Sequence, residues 1–291
     1  MNNWVPPKTE TFHILFPHGL GDAILATPAL RRFSEENPHY TIVIHGLSRH
    51  GAAFPTLFKG SPYAARNDLP DPWHDFPSYQ DGIAWMEGIA RERVKSGGKA
   101  IVLPCAMHDE IGGDNPEHKI YRFAFELGVE VDDPSLDIWC DRDLVDKMRE
   151  RFASRFSGKR TVFFHVDAGD PIKTISPGHA LFLAKRHIGD DFVSIVVQQS
   201  VDTSAWSDDP SMVHRVWSEN IQVSFAALAA SDDVCVIDSV MMHAAAAMGK
   251  PQVAWFGREE IIEHVKPLVS PVLILGSEGY YERREGERRP I

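Results

Sequence analysis

The chain has 291 residues, of which 43% are hydrophobic and 24% are charged, and its formal net charge at pH 7 is −11. This composition is that of an ordinary globular protein with room for about two domains, and the acidic balance argues against a broad surface for nucleic acid or anionic lipid. No apolar run approaches the ~18 residues of a membrane span, and the first residues lack a signal-peptide pattern. We therefore expect a cytoplasmic protein without a membrane span, although a peripheral membrane contact stays open.

Cysteine and histidine spacing predicts no metal site. The three cysteines, Cys105, Cys140 and Cys235, lie far apart and form no CxxC pair, which is typical of reduced thiols. There are fourteen histidines, but no pair has the HxH or HxxxH spacing with a carboxylate that would build a site from one element. We therefore expect neither a metal nor a disulfide framework.

Apolar strands alternate with helical segments along most of the chain. A strand at 12–16, a helical segment at 22–37 and a strand at 41–45 form a βαβ unit, which implies a parallel sheet. Pro28 predicts either a kink or a fresh helix start capped by Thr27, and the proline-rich stretch 47–80 is predicted to be irregular. Further helices are predicted at 81–96, 117–127, 141–155, from 176–177, 225–230 (capped by Ser224) and 239–248, and further strands at 99–103, 136–140, 160–165, 192–197, 233–237 and 252–256.

The α/β alternation occurs twice, which argues for two doubly wound domains with a cleft between them. The predicted boundary lies near residue 150. Residues 1–150 then form a first Rossmann-like domain and residues 151–270 a second one. Residues 271–291 would add a C-terminal strand and a tail that could cross back to the first domain.

The first candidate motif is a glycine turn after the opening strand. Gly19-Leu20-Gly21 places the carboxylate of Asp22 at the start of a helix. Such turns bind ligands because their backbone N–H groups are free. The glycines permit positive φ and close approach of a ligand, but the third glycine of a dinucleotide fingerprint is missing. From the residues alone, Asp22 is either a ligand-facing carboxylate or a helix N-cap.

Two further motifs lie in the second half of the chain. The loop 167–177 places Gly169 and Lys173 where a phosphate could bind, although a lone loop lysine can equally be solvated. After the strand 233–237, the dipeptide Asp238-Ser239 opens a helix of small residues, and the N-terminus of that helix offers free N–H groups to a diphosphate. His243 either faces the predicted cleft or is a core histidine.

In this order, the three motifs resemble the ADP-heptose:lipopolysaccharide heptosyltransferase family, glycosyltransferase family 9. Gly21-Asp22 and Thr27-Pro-Ala-Leu-Arg31 match its opening segment, the loop 167–173 matches its lysine segment, and residues 238–257 match its closing segment. The resemblance covers most of the chain, with anchors near 12–45 and 160–257. It departs at Val240-Met241, at Thr174-Ile175 and after Gly257, where the family carries Gly-Pro, an Arg-Trp pair and a Gly-Pro-Thr type turn.

The resemblance implies a GT-B fold, in which two Rossmann-like domains face each other across a cleft. It implies an inverting, metal-independent transferase without a cofactor, which moves a heptose-like sugar from an ADP-sugar in lipopolysaccharide biosynthesis. Asp22 would be the general base, on an acceptor-side loop with His18, Gly19 and Gly21. Residues implied to bind the donor are Gly169, Lys173, Thr174, Asp238, Ser239, Val240 and His243.

Within that resemblance, Lys173 and Ser239 would stabilise the diphosphate leaving group, and Asp238 would hydrogen-bond the donor sugar. The acceptor could be a lipopolysaccharide core sugar, another glycan, a protein side chain or a modified base. Two alternatives stay open. One is a non-catalytic nucleotide-sugar-binding protein of the same fold, and the other is a GT-B-fold nucleotide-sugar epimerase.

Overall fold

The computed structural model describes residues 10–71, 76–104, 118–168, 171–198, 202–276, 281–284 and 287–290. The chain divides into two compact units, and the division falls between Trp139 and Cys140. Within the described residues, no helix is both long and apolar enough to cross a membrane.

The first unit is built on a four-stranded parallel sheet. Its strands are β1 (Glu10–Phe16), β2 (Tyr40–Leu47), β3 (Ala64–Leu69) and β4 (Lys99–Val102). Their order across the sheet is β3-β2-β1-β4, and all neighbours are parallel. The chain moves from β1 outward to β2 and β3 and then returns to the other side of β1. The topological switch point, where ligands bind in open α/β sheets, therefore lies between β1 and β4.

Helices cover both faces of this first sheet. They are α1 (Leu20–Leu25), α2 (Thr27–Glu36), α3 (Ala53–Leu57), α4 (Tyr79–Lys95) and α5 (Lys119–Leu127). Met86 and Ala90 of α4 pack on Leu15 of β1. Phe16, which points to the opposite face because side chains alternate along a strand, packs on the rings of Phe54 in α3 and Phe123 in α5.

The helical segment 22–37 is interrupted, as Pro28 predicted. Ala26 ends α1 and is also the N-cap of α2, so Pro28 takes the second position of α2, where a missing N–H removes no intrahelical bond. The Thr27 hydroxyl donates to the carbonyl oxygen of Ile24 at 2.7 Å. The fresh-start interpretation is thus confirmed, but the residue at the cap is Ala26 and not Thr27.

Two predictions for the first unit were wrong. The stretch 47–80 contains α3 and β3, and β3 gives no apolar run because it is an edge strand with alternating exposure. Residues 136–140 form no strand, since side chains of α2 take up polar groups of this segment. Arg31 donates to Asp137 at 2.6 Å, and the Asp137 N–H donates to the Thr27 hydroxyl at 2.9 Å.

The second unit is built on a six-stranded parallel sheet. Its strands are β5 (Thr161–His165), β6 (Val193–Val197), β7 (Val213–Val216), β8 (Asp233–Ile237), β9 (Gln252–Phe256) and β10 (Val272–Gly276). The order is β10-β9-β8-β5-β6-β7, with every pair parallel. The switch point of this sheet lies between β5 and β8. Two further strands, β11 (Tyr281–Arg284) and β12 (Glu287–Pro290), pair antiparallel with each other.

The helices of the second unit again flank the sheet. They are α6 (Arg142–Phe156), α7 (Pro177–His187), α8 (Ile221–Ala230), α9 (Val240–Ala247) and α10 (Ile262–Val265). Because α6 packs on α8, the division of the chain falls before α6, whereas the sequence placed the boundary at its end. Ser224 is a buried residue inside α8, so the predicted cap there was wrong, and Asn220 caps the helix instead. Two parallel-sheet α/β units confirm the predicted fold class.

His214 links the stability of the second unit to pH. It lies on β7, is 4% exposed, and presents its ring to the edges of Phe152 and Phe156. Burial, reinforced by Arg151 and Arg155, lowers the pKa of His214 to about 4. The unfolded chain binds a proton near pH 6.5 while the folded chain does not, so stability is lost as the pH falls below about 6.5.

We expect His214→Phe to reduce this acid sensitivity. The variant keeps an aromatic ring among aromatic rings but has nothing to protonate. The loss of unfolding free energy between pH 6.5 and pH 4 should therefore shrink by on the order of 3 kcal/mol. Urea unfolding at several pH values in this range measures the difference. Parallel pH profiles for the two proteins would contradict the role given to His214.

Candidate functional site

The switch point of the first sheet holds the predicted base. Asp22 is the third residue of α1, and the N-cap is Gly19, with φ −72° and ψ 169°. Asp22 is therefore not the N-cap, which removes the alternative interpretation of its carboxylate. Its charge lies in the first helical turn, where the helix dipole stabilises an anion.

A lysine pairs with this carboxylate from the other side of the switch point. Lys119, the first residue of α5, donates from Nζ to Oδ1 of Asp22 at 2.7 Å, and the two side chains are 12% and 22% exposed. Because α5 follows β4 in the chain and α1 follows β1, the ion pair joins the elements on either side of the switch point. No motif in the sequence indicates Lys119, since 97 residues separate it from Asp22.

His18 is held as a neutral imidazole beside this pair. Burial lowers its pKa to about 4, although the carboxylate of Asp22 acts in the opposite direction. Nε2 of His18 donates to the carbonyl oxygen of Leu103 at 3.1 Å. The backbone carbonyl of His18 in turn accepts from Nε2 of His50 at 3.1 Å. These bonds connect the ends of β1, β2 and β4.

The two glycines of the turn do not use positive φ. Neither Gly19 nor Gly21 has a left-handed backbone, and Gly21 lies within α1. A β-carbon on Gly19 would meet no atom within 4 Å. The conformational reason given for these glycines was therefore wrong, and the space above Gly19 is open.

The switch point of the second sheet holds the predicted lysine and aspartate. Lys173 ends a short 3₁₀ turn over Pro171–Lys173, and its Nζ lies 2.6 Å from Oδ2 of Asp238, just after β8. The Asp238 side chain is 7% exposed, and its backbone N–H donates to the carbonyl of Trp255 on β9. Gly169, the other predicted phosphate ligand of this loop, lies outside the described residues.

The remaining predicted donor residues occupy defined positions around this pair. The hydroxyl of Thr174 accepts from the N–H of Ala168 at 3.2 Å and so ties the loop together. Ser239 is the N-cap of α9, where it accepts from the Met241 N–H, and its hydroxyl lies 3.1 Å from Nδ1 of His165. Val240 is the first residue of α9, and His243 is a core residue with 3% of its surface exposed.

Gly257, which follows β9, supports the lysine turn. A β-carbon at this position would overlap the carbonyl oxygen of Ile172, the residue before Lys173. The turn that carries Lys173 therefore rests directly on the backbone of Gly257. This close approach explains a glycine that the sequence showed only as part of a motif.

The structure thus brings the predicted residues together in two groups, each within its own unit. Asp22 and His18 lie with Lys119 in the first unit, and Lys173, Asp238 and Ser239 lie with His165 in the second. Within the residues described, no cluster of three or more histidine, cysteine, aspartate or glutamate side chains is arranged to hold a metal ion.

Comparison with solved structures finds proteins that share this fold. The chain is similar to the glycosyl transferase family 9 structure from Veillonella parvula DSM 2008, with 15% identity and a TM-score of 0.66 over 92% of this chain and 86% of that one. It is similar to E. coli ADP-heptose lps heptosyltransferase II, with 14% identity and a TM-score of 0.62 over 91% and 89% of the two chains. A third match is E. coli heptosyltransferase WaaC with ADP-2-deoxy-2-fluoro heptose, with 13% identity and a TM-score of 0.55 over 91% and 92%.

No protein-family model matches the sequence, and no curated protein matches it. The likeness is one of fold. At these sequence identities, the side chains of the site have to be interpreted from this structure alone. At that level, the resemblance predicted from three short motifs is confirmed over about nine-tenths of the chain.

Proposed function

We propose that the protein is an inverting glycosyltransferase that moves a sugar from a nucleoside-diphosphate sugar to an acceptor hydroxyl. The observation that carries this proposal is the position of two carboxylate–lysine pairs. Asp22–Lys119 and Asp238–Lys173 each lie at the switch point of a parallel sheet, where open α/β folds bind ligands. The fold shared with glycosyltransferase structures supports the same function.

In the first unit, Asp22 acts as the general base. It takes the proton of the acceptor hydroxyl while the hydroxyl oxygen attacks the anomeric carbon and the bond to the diphosphate breaks. Lys119 orients the carboxylate through its contact with Oδ1. His18, Gly19 and Gly21 form the acceptor-side loop, and the open space above Gly19 gives the acceptor room to approach.

In the second unit, the donor binds at the end of β5 and β8. Lys173 stabilises the negative charge that develops on the departing diphosphate, together with the N–H groups at the start of α9. Asp238 accepts hydrogen bonds from hydroxyls of the donor sugar. The chemistry needs no cofactor and no metal ion, because Lys173 supplies the positive charge.

The finer assignments come from the resemblance. WaaC was solved with ADP-2-deoxy-2-fluoro heptose, so we propose an ADP-sugar with a heptose-like sugar as the donor. The acceptor proposed is a glycan hydroxyl, with a lipopolysaccharide core sugar as the first candidate, and the protein would work in the cytoplasm.

We expect a nucleoside diphosphate or its sugar to raise the melting temperature of the protein by several degrees. A ligand at 100 times its Kd adds about 2.7 kcal/mol to the stability of the native state. Lys173→Met should weaken this binding by roughly tenfold to a hundredfold, since it removes a charge-assisted contact. The control is Lys185→Met, because Lys185 is an exposed residue of α7.

A thermal-shift panel of ADP, UDP, GDP and their sugars measures the effect. If none of them raises the melting temperature of the wild type, the donor-site proposal is wrong. If the wild type binds ADP-sugars but neither transfers nor hydrolyses them, the non-catalytic binding protein replaces the enzyme.

A further inference from the structure

His165 lies at the proposed donor site without having been assigned to it. It is the last residue of β5, at the carboxyl end of the neighbouring strands β5 and β8, where the switch point lies. Its Nδ1 lies 3.1 Å from the hydroxyl oxygen of Ser239. Ser239 follows Asp238, whose carboxylate pairs with Lys173. His165 therefore belongs to the same cluster as the lysine.

The contacts of Ser239 favour one tautomer of His165. As the N-cap of α9, the Ser239 oxygen already accepts from the Met241 N–H at 3.3 Å. Its hydroxyl proton has no other acceptor in the described part of the chain, so donation to Nδ1 of His165 is the arrangement that satisfies it. In a neutral imidazole the other nitrogen must carry the hydrogen, so His165 presents an Nε2–H group.

This imidazole stays neutral at physiological pH. Burial lowers the pKa of His165 to about 4, and the carboxylate of Asp167 opposes that shift without cancelling it. The residue is nonetheless partly exposed, and no group in the described part of the chain accepts from Nε2. His165 thus offers an uncharged, pre-oriented donor that the fold itself leaves unused.

We propose that Nε2–H of His165 donates a hydrogen bond to a phosphate oxygen of the nucleoside diphosphate held by Lys173. This inference rests on the proposed function of the second unit. A phosphate has more acceptor sites than one lysine can fill, and the charge of Lys173 is already shared with Asp238. A neutral imidazole whose Nδ1 accepts from Ser239 can supply a further contact, and it does so without the free-energy cost of burying a second cation.

Two substitutions separate the hydrogen bond from the shape of the ring. His165→Phe keeps an aromatic ring but has no donor, whereas His165→Gln places an amide N–H₂ near the position of Nε2. Calorimetric titration with ADP should show binding roughly tenfold to a hundredfold weaker for His165→Phe, in line with hydrogen bonds to charged groups. His165→Gln should bind within several-fold of the wild type.

Two further measurements address a purely structural role. Adenosine, which lacks phosphate, should bind the wild type and His165→Phe equally. Nitrogen NMR of the wild-type imidazole should show a protonated Nε2 and a bare Nδ1, whether or not a nucleotide is present.

The possible failures are distinct. If the wild type binds ADP and His165→Phe binds it equally well, the assignment of His165 is wrong while the proposed function stands. A proton on Nδ1 would also overturn the assignment. If the wild type binds neither ADP nor any other nucleoside diphosphate, the proposed function fails, and the assignment fails with it.

Discussion

Replacing Asp22 by asparagine is expected to lower the rate of sugar transfer by about 10²- to 10⁴-fold, the usual contribution of a general base. Asparagine keeps the size and the hydrogen-bonding oxygen of the side chain but cannot take the proton of the acceptor hydroxyl. Because Asp22 lies in the first unit and the proposed donor residues lie in the second, donor binding should stay within about twofold of the wild type.

The experiment compares kcat and donor Kd for the wild type, Asp22→Asn and a control, Asp132→Asn. Asp132 is an exposed residue of the same unit, so its substitution should leave kcat unchanged. Lys119→Met adds a second comparison, since it removes the ammonium group that donates to Oδ1 of Asp22 at 2.7 Å, and it should also lower kcat. Unaltered transfer by Asp22→Asn would show that another group is the base.

The substitution Gly257→Ala is expected to weaken donor binding by roughly tenfold to a hundredfold, as removal of a charge-assisted contact would. The added methyl group would overlap the carbonyl oxygen of Ile172. That oxygen belongs to the backbone, so the overlap can be relieved only by moving the turn that carries Lys173. The same strain should cost about 1–3 kcal/mol of stability, which is typical of overpacking.

Gly178→Ala provides the matched control for Gly257→Ala. Gly178 lies near the start of α7 in the same unit, and a β-carbon there meets no atom within 4 Å. The affinity of the Gly178→Ala variant for a nucleoside diphosphate should equal that of the wild type. The interpretation of Gly257 fails if both alanine variants bind the donor with wild-type affinity.

The sequence predicted the parts of the fold that are encoded locally. Runs of apolar residues marked the buried parallel strands, and Asp233–Ile237 and Gln252–Phe256 have the predicted bounds. The predicted helix start at 176–177 is also confirmed, with Ser176 as the N-cap and Pro177 in first position. These signals are short in sequence and depend on backbone geometry alone.

The missed features depend on contacts between distant parts of the chain. The edge strand β3 has no apolar run. The segment 136–140 has the composition of a strand, but Asp137 is bonded instead to Arg31 and Thr27 of α2. Lys119 and His165 carry no motif. Their importance arises only because the order of the strands brings the ends of β1 and β4 together, and likewise the ends of β5 and β8.

The pairing of Lys173 with Asp238 bears on how an anionic ligand would arrive. At a distance, the ammonium and the carboxylate cancel, and the chain as a whole carries a formal charge of −11. We therefore expect no electrostatic steering of a nucleotide to this site, since such steering accelerates the association of oppositely charged partners. The protein would then distinguish its donor from other anions by hydrogen bonds and packing, which act only at short range. The donor would be selected after the two molecules meet and not during their approach.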